Sequence, residues 1–442
     1  MKKVSIQEIL QMTVRHIKDG LHPSDLLDQI DELKDEQKRE LFELLSDEEA
    51  ALIIQEMGDF DRVSMLRLLT KHHASAILKE MAVDDATDLL GELSPEEIRE
   101  LLSLIEEEAE EIKDLLKYPE DTAGGIMTTD FIALPEDIPV EEAIIRLREV
   151  APEAEIIYYV YVVDYRTRLS GVLSLRDLIA ASDGTLLHEI MFRNIISVPA
   201  GMDQEEVARV VARYDLLAVP VIDEKNRLLG IITVDDILDV IEEEATEDFY
   251  RLAGAGEIEG VSILEAPVFD LARKRLPWLI ICLLGGILSG NVVGAFSSTL
   301  QSVVILAAFI PVIMDMGGNV ATQSSTVFVR GLATGEIRYV DAWRYLYREV
   351  KVGLVMGLIN GVLIMIVAYL WKGLPVLGLV VGLAMFFTIA VAALIGTLVP
   401  IIFSYYNLDP ALSAGPFVTT IKDVTGLLIY FYTASLFFKH LV

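Results

Sequence analysis

The sequence predicts a multidomain chain: an α-helical superhelical N-domain, a tandem α/β pair, a connecting helix, and an α-helical transmembrane domain of five helices. Three observations lead there. Long apolar stretches are confined to the C-terminal part, acidic side chains crowd the part before it, and one strand-helix-strand-strand-helix pattern occurs twice in between. A hydrophobic share of 53% and a mean hydropathy of +0.45 are too high for an ordinary soluble protein, so part of the chain belongs in lipid.

Over the first ~120 residues, Leu, Ile and Met recur at helical spacing between polar joints. Two joints carry helix-start chemistry: Ser46 with Glu49, and Ser94 with Pro95 and Glu97. Both fit the capping box, in which a hydroxyl and a carboxylate satisfy free backbone N–H groups. Units of roughly a dozen residues predict a stacked superhelix, assigned to residues 1–126. It shows no catalytic pattern.

The duplicated α/β region divides into 127–185 and 186–246. Its first copy holds a strand from Ile156 to Asp164, then Leu169 to Asp177 leading into a helix; the second holds Leu216 to Asp223, then Leu229 to Asp236. An apolar strand followed by Gly, a hydroxyl residue and Asp, present twice, resembles a pair of cystathionine-β-synthase (CBS) domains. That resemblance implies dimerisation, adenine-nucleotide binding and regulation rather than chemistry. It places Tyr159, Arg176 and Asp177 at positions that contact ATP, the ring stacking on the base and the carboxylate meeting ribose hydroxyls.

After a connecting segment over 247–275, five stretches approach or exceed the roughly 20 residues a bilayer requires: Leu276 to Phe296, Val303 to Val327, Val350 to Trp371, Leu374 to Phe403 and Ala411 to Phe438. Arg273, Lys274 and Arg275 precede the first, and Arg330, Arg338, Arg344, Arg348 and Lys351 follow the second; the opposite side has Lys372 and Lys439. By the positive-inside rule the N-terminal part is cytoplasmic and the C-terminus outside. MKKVSIQEIL has no apolar core of signal-peptide length, and the single Cys282 permits no intramolecular disulfide, which fits a reducing compartment.

Residues 1–269 hold 61 acidic against 25 basic side chains. Such a surface repels nucleic acid and concentrates cations, although many acidic surfaces are merely solvated. Carboxylates inside spans carry more information, because lipid makes them costly. Asp423 sits midway along the fifth span beside Thr419, Thr420 and Lys422, and Asp315 midway along the second, where Asn319 and Gln323 follow at intervals of four on one helix face. The alternatives are an ion pair for Asp423 and an interhelical hydrogen-bond seam for the stripe, with Gly317 and Gly318 serving either. Lys422 is the obvious partner. Adjacent helical residues point about 100° apart, however, so pairing is expected to need another helix. Few carboxylates among polar oxygens suit the hydrated, hard Mg²⁺ ion, and the spans contain no His or Cys pair for softer metals.

The chain as a whole resembles the MgtE family of magnesium channels and transporters. The resemblance is carried by YPEDTAGGIMT (Tyr118 to Thr128), DDILDVIEEEATEDFYRLAG (Asp235 to Gly254), GGNVATQ in the second span and DPALSAGPFVTTIKDVTG (Asp409 to Gly426). The family's Gly-Asn-x-Gly-x-Gln reads Gly318-Asn319-Val320-Ala321-Thr322-Gln323 here, and Asp315 is an addition. The resemblance implies a homodimer in the plasma membrane with Asp423 as pore carboxylate, Asp409 at the gate, and Glu247 to Arg275 as a plug helix. It implies regulatory Mg²⁺ at Asp84 and Asp88, at Asp215, Asp236 and Asp239, and at Glu244, Glu247 and Asp248. Carboxylates brought together repel, and a divalent ion between them reverses the sign.

Two other readings compete. A chloride channel would place its CBS pair after a longer membrane domain and need anion-stabilising groups. An enzyme would need a catalytic set, and neither a Ser-His-Asp arrangement, a metal-binding His motif nor a phosphate-cradling Gly loop occurs near the spans.

Overall fold

The computed structural model describes residues 24–31, 33–105, 109–150, 157–254, 267–406 and 408–437. Ile156 at the expected strand start, 255–266 of the connecting segment, Phe438 at the end of the fifth span and Lys439 lie outside them. The described residues form two compact units, divided between Glu244 and Ala245.

Among the described residues the first unit begins with eight short helices: α1 (Ser24–Asp31), α2 (Asp35–Phe42), α3 (Asp47–Gln55), α4 (Asp59–Leu68), α5 (Lys71–Glu80), α6 (Val83–Gly91), α7 (Pro95–Leu102) and α8 (Ala109–Leu115). None is long enough to be stable alone. Alternate helices therefore stack, α3 on α5 on α7 in one row and α2, α4, α6 and α8 in the other, burying Phe42, Ile54, Ile77 and Leu90. Both capping boxes form. Glu49 N–H donates to Ser46 Oγ at 3.2 Å while Ser46 N–H donates back to the Glu49 carboxylate at 2.9 Å; for Ser94 and Glu97 the distances are 3.4 and 2.9 Å. Thr70 adds a cap to α5, accepting from His73 N–H at 3.4 Å. No acidic residue follows at the third helical position there, so the box signature was missing.

The tandem repeat comprises β1 (Ala133–Pro135), α9 (Val140–Val150), β2 (Tyr159–Val163), β3 (Leu169–Ser174), α10 (Leu175–Ala180) and α11 (Leu187–Ile190), then β4 (Val198–Pro199), α12 (Gln204–Tyr214), β5 (Ala218–Ile222), β6 (Leu228–Thr233) and α13 (Val234–Ala253). Each half is a sheet with one parallel pair and one antiparallel hairpin, β1-β2-β3 and β4-β5-β6. The duplication extends to details. Both hairpins slip register at the same point, Val162/Val163 and Val221/Ile222, and both turns fold around an Asp. Asp164 accepts from the N–H groups of Arg166 and Arg168 at 2.7 and 3.0 Å, and Asp223 from those of Lys225 and Arg227 at 2.8 Å each.

The repeated Gly, hydroxyl, Asp signature has a local cause. A Cβ on Gly171 would lie 2.2 Å from Met191 Sδ, and one on Gly230 2.7 Å from the Thr128 carbonyl oxygen. Ser174 and Thr233 are N-caps whose N–H and hydroxyl groups donate to Asp177 and Asp236. The N-domain docks on the second repeat through Tyr118 to Met127: Ala123 N–H donates to the Met202 carbonyl at 2.7 Å and Gly124 N–H to that of Ala200 at 2.8 Å. Leu115, Ala123 and Met127 share one core with Val198, Val219 and Ile232.

The second unit holds α14 (Val268–Ala295), α15 (Ser297–Ser302), a 3-10 helix (Val304–Phe309), α16 (Ile310–Ala333), α17 (Ala342–Lys372), α18 (Pro375–Tyr405), α19 (Ala411–Ala414) and α20 (Pro416–Leu436). Among the described residues, four segments have the length and apolarity to cross a bilayer: Val268–Ala295, Val304–Ala333, Tyr339–Lys372 and Pro375–Tyr405. The fifth expected span, α20, is a helix of 21 residues, but Lys422, Asp423 and its threonines keep it outside that class. Helix α18 is the buried centre, packed on α16, α17 and α20. Glycines admit the contact with α17: a Cβ on Gly357 would meet the Phe386 carbonyl oxygen at 2.7 Å, and one on Gly361 that of Gly382 at 2.7 Å.

The single plug helix expected from Glu247 to Arg275 is not seen as one helix among the described residues. Glu247 to Ala253 are the last turns of α13, which starts in the second repeat, and Val268 opens α14. Gly254, with φ of +63°, ends α13.

Candidate functional site

Asp423 lies midway along α20 with 28% of its side chain exposed, and the Lys422 ammonium pairs with it from the same helix. This corrects the expectation that pairing needs another helix. The Cβ vectors do diverge, but the four-carbon stem of Lys422 folds beneath α16, where its Nζ also donates to the Met314 carbonyl at 3.1 Å. Gly317 and Gly318 make the room: a Cβ on Gly318 would sit 3.1 Å from Nζ, and one on Gly317 3.4 Å from Cδ. Against the same spot α18 presents Thr388, buried and with no hydrogen-bond partner for its hydroxyl.

Met314, which holds Lys422, immediately precedes Asp315, so the two span carboxylates stand at one level. Asp315, Asn319 and Gln323 are all exposed along one face of α16, with Asn319 Nδ2 donating to Asp315 Oδ2 at 3.3 Å. Thr419 is exposed, its hydroxyl donating to the Gly415 carbonyl at 2.8 Å. Thr420 instead packs on α14, where a Cβ on Gly285 would fall 2.4 Å from its hydroxyl oxygen. Asp409 caps α19, accepting from Ala411 N–H at 2.7 Å, and its other oxygen accepts from Arg251 at 2.6 Å. Arg251 also pairs with Glu247. Two carboxylates assigned to cations are thus bridged by a guanidinium.

In the first unit, Asp85, Asp88, Asp236 and Asp239 form one electrostatically coupled group. Asp88 is exposed to solvent yet ringed by protein. Burial, then the charges of Asp85, Asp236 and Glu120, push its carboxyl up to about 7 against the pull of Arg62, and water at its open side tempers the rise. Burial also raises Asp85, opposed by a 2.7 Å hydrogen bond from Gln55, and raises Asp236, opposed by its bonds from Thr233. Carboxyls pushed towards the neutral form by one another favour any cation brought among them. Asp84 is buried, and its neighbour Asp85 lies within the coupled group. Asp85 and Asp88 are three apart, Asp84 and Asp88 four apart, and both spacings share a helix face. Spacing therefore did not choose between them.

The other expected regulatory acids have their own local settings. Asp215 is the exposed, left-handed C-cap of α12, with φ of 51°, Glu244 accepts from Gln204 at 2.8 Å, and Asp248 is half-buried on α13. Among the described residues no three His, Cys, Asp or Glu side chains come close enough to enclose a metal ion. The donors are all oxygen, which fits a hard cation, but they form a field rather than a cage. At the first repeat, Tyr159 pairs across the hairpin with Ser174, the N-cap of α10, the helix that carries Arg176 and Asp177. The cap uses only one oxygen of Asp177.

The family of divalent cation transporters called MgtE matches residues 310–433, its intracellular N domain residues 21–121, and the CBS domain residues 123–184 and 187–243. Over 441 residues, 98% of both chains, the sequence is 42% identical to the magnesium transporter MgtE of Thermus thermophilus. The chain belongs to the MgtE family. It is also 46% identical over 336 residues to the magnesium transporter MgtE of Enterococcus faecalis, covering 76% of this chain and 73% of that one. A solved cytosolic domain of the Mg²⁺ channel MgtE in complex with ATP superposes with a TM-score of 0.50 at 42% identity, covering 53% of this chain and 98% of that one. A member of this family is a transporter, not an enzyme.

Three residues of this MgtE chain escaped the sequence reading. Asp85 was hidden by the equivalence of helical spacings. Arg251 was hidden because a lone basic residue among acids reads as solvated. Glu349, in α17, accepts from the buried Ser324 hydroxyl at 2.8 Å; its neighbours Arg348 and Lys351 placed it in the basic loop rather than beside a span.

Proposed function

We propose that the chain passes Mg²⁺ across the plasma membrane as a homodimer of five-span subunits, and is closed by cytoplasmic Mg²⁺ bound to its acidic N-domain and CBS pair. The observation that carries this reading is the exposure of Asp315, Asn319 and Gln323, with Asp423 partly exposed, on one membrane unit. Groups this polar do not face hydrocarbon; a second subunit enclosing a wet path along α16 and α20 accommodates them. The basic flanks of the spans support a cytoplasmic N-terminus and an outer C-terminus. The test is Mg²⁺ entry into liposomes containing the full chain, with luminal and external Mg²⁺ varied separately. Entry that stops as Mg²⁺ rises on the cytoplasmic face supports both parts of the reading, and a lack of entry under all conditions sinks it.

Asp315 adds a second carboxylate to the stripe. Replacing it by Gly should shift half-saturation or Mg²⁺/Ca²⁺ preference by a few-fold while flux persists; loss of thermal stability alone would make it a packing element. ATP is proposed as a regulatory ligand, held by Tyr159, Arg176 and Asp177. In titration calorimetry on the full chain, Tyr159→Ala should weaken adenine-nucleotide binding about tenfold, the order of one lost base stack. Absence of any ATP heat in the parent chain removes the proposal.

A further inference from the structure

We infer that Lys422 is a built-in counter-charge that sets the preference of the pathway for divalent over monovalent cations. The inference rests on the reading of Asp423 as pore carboxylate and adds the residue that decides what the carboxylate accepts. Lys422 is 5% exposed, whereas Arg330, Arg344 and Lys372 lie at or near helix ends. It is held at two points from two helices, the Asp423 carboxylate on its own helix and the Met314 carbonyl on α16, in a space that Gly317 and Gly318 leave open.

A carboxylate alone at this depth attracts any cation. Paired with a tethered ammonium it is neutral, and an arriving ion must compete with a charge whose effective concentration is fixed by the stem. A monovalent ion replaces one positive charge by another and gains nothing. A divalent ion gains twice the Coulomb attraction at the same distance. When Asp423 turns to that ion, the ammonium keeps its bond to Met314, which offsets part of the cost of giving up its counter-charge. The unpartnered Thr388 hydroxyl, whose methyl lies 3.0 Å from where a Cβ on Gly317 would be, is a polar neighbour for the shifted side chain. The same ammonium repels a bound ion and promotes its release.

The full chain in liposomes tests this with Lys422→Met, Lys422→Gln and Lys422→Arg. Half-saturating external Mg²⁺ should fall about tenfold in Lys422→Met, as expected for removing one fixed charge near the ion, and Na⁺ entry should rise well above that of the parent chain. Lys422→Arg keeps the charge and should keep Na⁺ entry at the parental level. Lys422→Gln can still donate to Met314 and supplies the same reading if the Met variant does not assemble. Parental half-saturation and parental Na⁺ entry in both neutral variants overturn the inference and leave Lys422 a packing residue. A silent Asp423→Asn alongside that result leaves the pore reading standing, whereas parental flux in Asp423→Asn removes the pore reading itself.

Discussion

Asp423→Asn is expected to lower Mg²⁺ flux about a hundredfold or more, because it removes a full charge from the one carboxylate midway along α20, where the low dielectric makes each charge worth several times its value in water. The substitution keeps the shape of the side chain but leaves the Lys422 ammonium buried without its counter-charge. Removing one partner of a buried pair costs about 3–5 kcal/mol, so the single variant should also be less stable, and lost flux alone would be ambiguous. The double variant Asp423→Asn/Lys422→Met separates the two effects. It removes both charges, so thermal stability should return to near that of the parent while flux stays absent. Recovery of flux together with stability would show that Asp423 is needed for folding and not for conduction.

The parts of this site that sequence made legible are those where rarity carries the signal. A carboxylate inside a span stands out against an apolar background, as do a polar stripe at intervals of four and a signature repeated 59 residues apart in Asp177 and Asp236. What escaped depends on where flexible or degenerate features resolve in three dimensions. Cβ directions kept Lys422 away from Asp423, but a long side chain under two glycines does not follow its Cβ. Asp84 and Asp85 are equivalent until α6 packs, and only then does one become buried while the other meets Asp236 and Asp239. The Glu247, Arg251 and Asp409 bridge joins residues far apart in sequence, which no local pattern encodes. The family resemblance implies one plug helix from Glu247 to Arg275, and the left-handed Gly254 that ends α13 reads in sequence as an ordinary tolerated glycine.

Neutralising the coupled acids should uncouple the transporter from cytoplasmic Mg²⁺. The set is Asp85, Asp88, Asp236 and Asp239, the acids that couple to one another. Each is changed to Asn, so that the cap between Thr233 and residue 236 keeps an acceptor. The substitutions remove both the mutual repulsion and the attraction for the ion, and the sign follows from which of these differs more between states. Repulsion among solvent-reached carboxylates is screened by salt, whereas a divalent ion among them acts only when they are together. A ligand shifts an equilibrium only by its differential affinity, on the order of 1–3 kcal/mol per coupled ion, so loss of ion binding dominates. The quadruple variant should therefore conduct at cytoplasmic Mg²⁺ that shuts the parent, raising the half-inhibitory concentration at least about tenfold, and should lose Mg²⁺-dependent protection from protease. The pH dependence gives an independent reading. Asp88 keeps its proton to about 7 in the folded state against 3.8 as its ordinary value, so in the absence of divalent ions its contribution to stability is full below the ordinary value and fades as pH rises through about 7. Protease protection of the Mg²⁺-free parent should accordingly weaken between about pH 4 and 7, the window those values span, and Mg²⁺ should restore it most at the upper end. Unchanged inhibition by internal Mg²⁺ in the quadruple variant would place the sensor elsewhere, with the Arg251 bridge between Glu247 and Asp409 the next element to break.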